Sequence, residues 1–341
     1  MRTKTLFAAL VSIMAAAVTV TAQDGFKFRS GVELVNVTAT VTDDTGRFVS
    51  GLRKEDFTVY DNGAKQEVMY FSSERVPVSL GIVLDVSGSM TPDKMSYARA
   101  AIDRFIFDLL SPDDELFFME FNTRGRITQQ WTKDRRQISR AVSRANSSGG
   151  TAMYDAVSDA LPLASAGENR KKALLVISDG NDADSEMSIA ELRQQIRESE
   201  VLVYALGVDG TSRGSSRRTG GTVSPPPVQL PIPFPFPFPG GKRPAFPQVT
   251  GGIFGGRVTN AERVNEDALR QMTDDTGGRT EIVRGFDSLD AATARIADEL
   301  SKQYYLGYAN NGDKDGRWHT IRVELRDRRL NVRARRGYVA S

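Results

Sequence analysis

Between positions 85 and 89 the chain reads Asp-Val-Ser-Gly-Ser, so a carboxylate and two hydroxyls recur at every second residue. One turn can bring three such oxygens together, and Gly88 permits the bend. The apolar run that precedes Asp85 has a counterpart in KALLVIS, which ends in Asp179-Gly180. A third stretch, Ser147-Ser148-Gly149-Gly150-Thr151, opens a helical segment between them and offers another hydroxyl. Asp85, Ser87, Ser89, Thr151 and Asp179 thus make up an all-oxygen donor set. Such a set, with no imidazole or thiolate, suits a hard cation. A few protein ligands with retained waters fit octahedral Mg²⁺ better than a Ca²⁺ cage, with Mn²⁺ or Ca²⁺ able to replace it. Asp and Ser after a strand also cap helices, and capping alone would account for any one of the three pieces.

The elements that must position these residues are legible in the hydrophobic pattern. VSLGIVLDVS, ELFFMEF, KALLVISDG and VLVYALGV read as short apolar strands. Between them Met95, Ala98, Ile102, Phe105, Ile106 and Leu109 share one helical face, as do Ile138, Ala141, Val142 and Ala145. A helical pattern returns around Asn265 to Thr276, RTEIV is a short last strand, and Leu289, Ala292, Ile296 and Leu300 mark a final helix. Alternation of this kind predicts an α/β fold, a doubly wound, mostly parallel sheet covered on both faces. Ligands of such sheets bind beyond the carboxyl ends of the strands, where strand order reverses. Asp85 and Asp179 both stand at such ends.

The flanks follow a different period. Val35, Val37, Ala39 and Val41 alternate with polar residues, and Asp61-Asn62-Gly63 separates FTVY from QEVMYF. From Tyr304 onward alternation resumes through Ile321, Val323 and Leu325, with a turn at Asp327-Arg328-Arg329 before Leu330, Val332 and Ala334, which predicts another hairpin. An isolated hairpin is marginal in water, so the two flanks are expected to bury their apolar faces against each other as one small β domain.

In its ordered DxSxS, threonine and DG pieces the stretch from about Val76 to Lys302 resembles the von Willebrand factor A family, and Gly277-Gly278 before the last strand extends the match. The flanks resemble bacterial exported proteins related to that family, through the segment from Val49 to Gly63 and through YYLGY and ARRGY near the end. The resemblance implies a Rossmann-like domain with a metal-ion-dependent adhesion site. In that site the serines and the threonine approach the ion, the aspartates act directly or through water, and one position is left for a partner's carboxylate. Mostly neutral direct ligands keep the ion electrophilic enough to want it.

The remaining features bound the setting. Arg2 and Lys4 precede an apolar run from Leu6 to Val20, and small residues follow to Ala22. That predicts a signal peptide and a periplasmic or extracellular destination, the run falling short of the roughly 20 residues that span a bilayer. With no cysteine, disulfides and thiolate chemistry are excluded. Loss of Arg2 and Lys4 from 45 basic residues leaves 43 against 43 acidic ones, no global field for nucleic acid or anionic lipid, and no stable membrane insertion is expected. The expected organisation is a signal peptide at 1–22, an N-terminal β segment at 23–75, the A-type domain at 76–302 with a Pro-rich insertion at 210–257, and a C-terminal β-hairpin segment at 303–341. Asp182 and Asp184 could form a second acidic ligand cluster but read rather as caps of a helix beginning near Ser188. His319, the only histidine, reads as structural. Arg333, Arg335 and Arg336 read as the charged face of the last hairpin.

These features point to a protein-binding module that is not an enzyme, its cation completed by an acidic residue of a protein partner. Two alternatives carry less support: a scaffold whose metal only stiffens three loops while partner contact lies elsewhere, as through the Pro-Phe insertion, and a metal-assisted hydrolase, which lacks a recognisable general base.

Overall fold

The computed structural model describes residues 34–209, 264–309 and 315–340. The expected signal peptide and the Pro-rich insertion lie outside the described residues. The chain enters as four strands, β1 (Leu34–Thr42), β2 (Phe57–Asp61), β3 (Ala64–Gln66) and β4 (Val68–Ser72). There follow β5 (Val78–Asp85), α1 (Pro92–Arg104), β6 (Glu115–Phe121), β7 (Gly125–Thr132), α2 (Arg135–Arg144), α3 (Met153–Ser165), β8 (Lys171–Ser178), α4 (Ile189–Glu198) and β9 (Leu202–Val208). After the undescribed stretch come α5 (Glu266–Thr273), β10 (Thr280–Val283), α6 (Phe286–Lys302), β11 (Tyr304–Ala309), β12 (Trp318–Leu325), β13 (Asn331–Ala334) and β14 (Gly337–Val339).

The central sheet has the order β10-β9-β8-β5-β6-β7, parallel except for β7 at its edge. Every residue of β5 is buried, as a strand covered on both faces requires. Leu80, Ile82 and Leu84 face a core shared with α1, α2 and α6, and Val83 faces one shared with α3, α4 and α5. From β5 the chain moves outward to β6 and β7, then crosses back to β8 on the other side, so strand order reverses between β5 and β8. That puts Asp85 and Asp179 at the switch point. The edge strand β7 escapes the periodicity reading because it is only partly buried and polar along its length.

The flanks do associate, in a different topology from the hairpins expected. One four-stranded sheet is ordered β13-β1-β11-β4 and the other β14-β12-β2-β3. Their apolar faces meet through Val35, Val37, Val41, Val59, Ile321 and Val323. Asn62 and Gly63, both at positive φ, make the tight β2-β3 turn as read from Asp-Asn-Gly. The C-terminal hairpin is not one: β12 pairs with β2 and β14, whereas β13 pairs with β1 in the opposite sheet. Alternation marks which face of a strand is apolar but not its neighbour, and crossing between sheets buries more apolar surface than a two-stranded ribbon could. Arg333, Arg335 and Arg336 are likewise more than a charged face of a hairpin: Arg335 is buried, whereas Arg336 remains exposed. They reach into the central unit, Arg333 to Glu299 and the Gly277 carbonyl, Arg335 to Glu200 and Arg336 to Asp275.

Candidate metal centre

Asp85 ends β5 with no solvent exposure. Its Oδ1 accepts the Ser87 amide at 2.8 Å and its Oδ2 the Ser178 hydroxyl at 2.6 Å. Burial pushes the carboxyl up to about 6, against the downward pull of the Ser178 and Ser87 hydrogen bonds. The turn then brings the Ser87 and Ser89 hydroxyls within 2.9 Å of each other, and Thr91 caps α1, with Pro92 in its first turn. Asp179 follows β8, also fully buried; its Oδ1 accepts the Asn181 amide at 3.1 Å. Gly180 takes a positive φ there, and a Cβ would strike the Asn265 carbonyl.

The loops are sewn together by main-chain hydrogen bonds. Gly88 N donates to Gly149 O at 2.9 Å and Ser148 N to Val86 O at 2.7 Å. Thr151 O accepts the amides of Ala183 and Asp184 at 3.0 and 2.9 Å, and Asn265 N donates to Asp179 O at 2.7 Å. Thr151 N donates to Asp184 Oδ2 at 2.7 Å, and the residue is largely buried, while its hydroxyl makes no hydrogen bond among the described residues. Asp85, Ser87, Ser89 and Asp179 thus belong to one contact network, and Thr151 joins through its backbone.

Two residues in this network were not read from the sequence, and a third, Asp184, was read in another role. Ser178 supplies a hydroxyl to Asp85. Asp184 fixes the Thr151 loop; together with Asp182, which accepts the Met153 amide at 2.7 Å, it serves the start of α3. The cap expected near Ser188 is instead Ser188 itself, paired with Glu191. Loops brought together by the parallel sheet can cap helices remote in sequence, which spacing alone does not disclose. The other unread residue is Lys94, only 1% exposed. Its Nζ lies 2.8 Å from Asp179 Oδ2 and 3.1 Å from Ser89 O. A lysine beside Met95 on the apolar face of α1, one and two turns before Ala98 and Ala101, was the available signal.

The donor chemistry fits a hard divalent cation: three hydroxyls, one unpartnered, and two carboxylates, with no nitrogen or sulfur donor. Among the described residues no group of three or more acidic or histidine side chains is suited to a metal, so a cation here depends on hydroxyls and water. His319 lies in β12, its Nδ1 3.0 Å from Asn62 Nδ2 and its Nε2 3.2 Å from Asp315 Oδ1. Among the described residues no helix is long and apolar enough to cross a membrane.

Residues 80–221 match the family model of the von Willebrand factor type A domain. An uncharacterised protein of Synechocystis is 28% identical over 137 residues, 39% of this chain and 32% of its own length. The inter-alpha-trypsin inhibitor heavy chain H2 of Mus musculus is 25% identical over 162 residues, 41% of this chain and 17% of its own. The chain therefore spans a third or less of these curated relatives. Among solved structures, a von Willebrand factor type A protein from Catenulispora acidiphila is 14% identical, covers 92% of this chain and 75% of its own, and superposes with a TM-score of 0.46. BatB from Bacteroides thetaiotaomicron is 21% identical, covers 65% and 98%, and gives 0.43.

Proposed function

Residues 80–221 match the family model of the von Willebrand factor type A domain, and from that premise we propose that the chain is a protein-binding module. It holds one divalent cation, Mg²⁺ by preference, through Asp85, Ser87, Ser89, Thr151 and Asp179. When bound, the cation supplies a Lewis-acidic position for an acidic side chain of a protein partner. The chain's own residues do the rest. Asp85, buried between Ser178 and Ser87, orients the turn; Ser87 and Ser89 present adjacent hydroxyls; Thr151 offers its unpartnered one; and Asp179 supplies a second carboxylate. One observation carries the reading: donors from three loops at the switch point are tied together by hydrogen bonds. Because those bonds already stiffen the loops, a cation is not needed as their scaffold, which leaves ligand capture as its use. A hydrolytic role has less support, since the one imidazole sits in β12 and the carboxylates already accept hydrogen bonds. The exported setting belongs to the same proposal.

Isothermal calorimetry tests it. The intact protein should bind Mg²⁺ and Asp85→Ala should not, the variant losing about 1–3 kcal/mol of stability as the Ser178 and Ser87 donors go unsatisfied. Equal Mg²⁺ affinity in both proteins would end the proposal. Affinity capture from source cells with Mg²⁺ or EDTA then identifies the partner.

A further inference from the structure

Across the chain, basic and acidic residues nearly balance, 45 against 43, but they are not evenly spread. From Phe121 to Gly150 there are six arginines and one lysine against a single acid, Asp134. The fold gathers part of this excess beside the candidate metal centre. A groove of about 670 Å³ runs between β7 and α2, and Arg126, Arg140 and Arg144 line it. A second cavity, of about 340 Å³, shares Arg126 and Arg144, adds Arg124, and ends on Val86 and Ser148. Val86 lies between Asp85 and Ser87, and Ser148 belongs to the Thr151 loop. The groove therefore leads to the loops that carry the proposed cation donors.

Most arginines elsewhere on this surface are spoken for. Arg193 and Arg197 pair with Asp275, Arg295 with Glu281, Arg329 with Asp327 and Arg333 with Glu299. In the groove, among the described residues, only Arg126 has an acidic partner, Glu120. The exposed guanidinium groups of Arg124, Arg140 and Arg144 have neither ion pair nor hydrogen bond among the described residues. Arg140 and Arg144 stand one turn apart on α2, so both face the same channel. Unpaired arginines present planar forks matched to carboxylates, and a row of them sets partner choice and encounter rate through charge complementarity.

We propose that this groove binds an acidic polypeptide segment, one carboxylate of which reaches the cation loops while its neighbours pair with Arg124, Arg140 and Arg144. The inference rests on the proposed metal-dependent binding and names its partner class. A polypeptide fits better than a nucleic acid because the positive stretch is short and ends where the proposed ion takes a carboxylate. Among the described residues the edge strand β7 along it pairs only with β6, which leaves main-chain groups for an extended peptide.

The test measures fluorescence anisotropy of a labelled dodecapeptide with Glu at every second position, and of its Gln counterpart, against the full chain in Mg²⁺ and in EDTA. The Glu peptide should bind in Mg²⁺ about tenfold or more tightly than the Gln peptide. The double reversal Arg140→Glu with Arg144→Glu should weaken it by about tenfold while leaving calorimetric Mg²⁺ binding and thermal melting unchanged. Arg124→Glu, on the loop before β7, should act in the same direction and guards against a fault in α2. No binding of the Glu peptide, or equal binding by the reversed variants, overturns the groove. If reversal has no effect while EDTA abolishes binding, the metal reading survives and the groove falls. If reversal abolishes binding that EDTA and Asp85→Ala leave untouched, the groove survives and the metal reading falls. A DNA duplex or heparin binding more than tenfold tighter than the Glu peptide would overturn a polypeptide as occupant.

Discussion

Replacing Lys94 by Met removes the positive charge from the interior of the candidate site while keeping most of the side-chain volume. In the native chain its ammonium lies 2.8 Å from Asp179 Oδ2, and the two side chains are 2% and 0% exposed. The substitution leaves the Asp179 carboxylate buried with the Asn181 amide as its remaining donor at 3.1 Å. Breaking a buried pair from one side costs about 3–5 kcal/mol, because the remaining charge is desolvated and uncompensated. At about 2–4 °C per kcal/mol for a domain of this size, Lys94→Met should melt about 6–20 °C below the native protein in EDTA. A divalent cation can take over the neutralising role, and a ligand present at about a hundredfold over its Kd stabilises by about 2.7 kcal/mol. Saturating Mg²⁺ should therefore raise the melting temperature of Lys94→Met by more than that of the native protein, in which ammonium and ion share one carboxylate. Combining it with Asp179→Asn should cost less than the sum of the two single changes. Thermal melts by circular dichroism in EDTA and in Mg²⁺ read all of this. A melt within about 2 °C of native in EDTA, well below the cost of a broken buried pair, would show that the ion pair does not form. Equal Mg²⁺ shifts in both proteins would show that ammonium and cation do not share Asp179.

Other consequences follow from the same contacts. A Cβ on Gly150 would collide with the Asp184 carboxylate that holds the Thr151 amide, so Gly150→Ala should weaken calorimetric Mg²⁺ affinity without changing any charge; unaltered affinity would remove Thr151 from the donor set. Because β11 lies between β1 and β4, a chain ending before Tyr304 should lose hydrogen-exchange protection in β1 and β4 while β5 and β8 keep theirs. Persistent β1 protection would mean the N-terminal strands stand alone. Burial pushes the Lys171 ammonium down to about 8, with Arg75 adding to the effect. Its folded value lies below the unfolded one, so between pH 8 and 10 the unfolded chain holds more protons and stability rises with pH. Lys171→Met should thus be more stable than the native protein near pH 7 by about 1–3 kcal/mol, the gap closing towards pH 10 in urea melts. A gap that stays constant would contradict the shift.

The sequence by itself determined the layered α/β unit and named the five residues proposed as oxygen donors. Both are local: runs such as VSLGIVLD are too apolar for anything but a strand covered on two sides, and DxSxS or SDG places its oxygens within one turn. It also determined that the flanks carry alternating apolar faces and need a partner. What it left open depends on residues far apart in the chain. That β12 and β13 enter opposite sheets was decided by which pairing buries Val323 and Val332 at once, since alternation is the same for either neighbour. That Asp182 and Asp184 serve the start of α3, some 30 residues earlier, follows from β5 and β8 running side by side, which draws their terminal loops together. Lys94 is the clearest case. Its spacing from Met95 and Ala98 places it on a buried helix face, but only the parallel pairing of β5 with β8 brings it an aspartate 85 residues away, and that carboxylate offsets the cost of burying its ammonium.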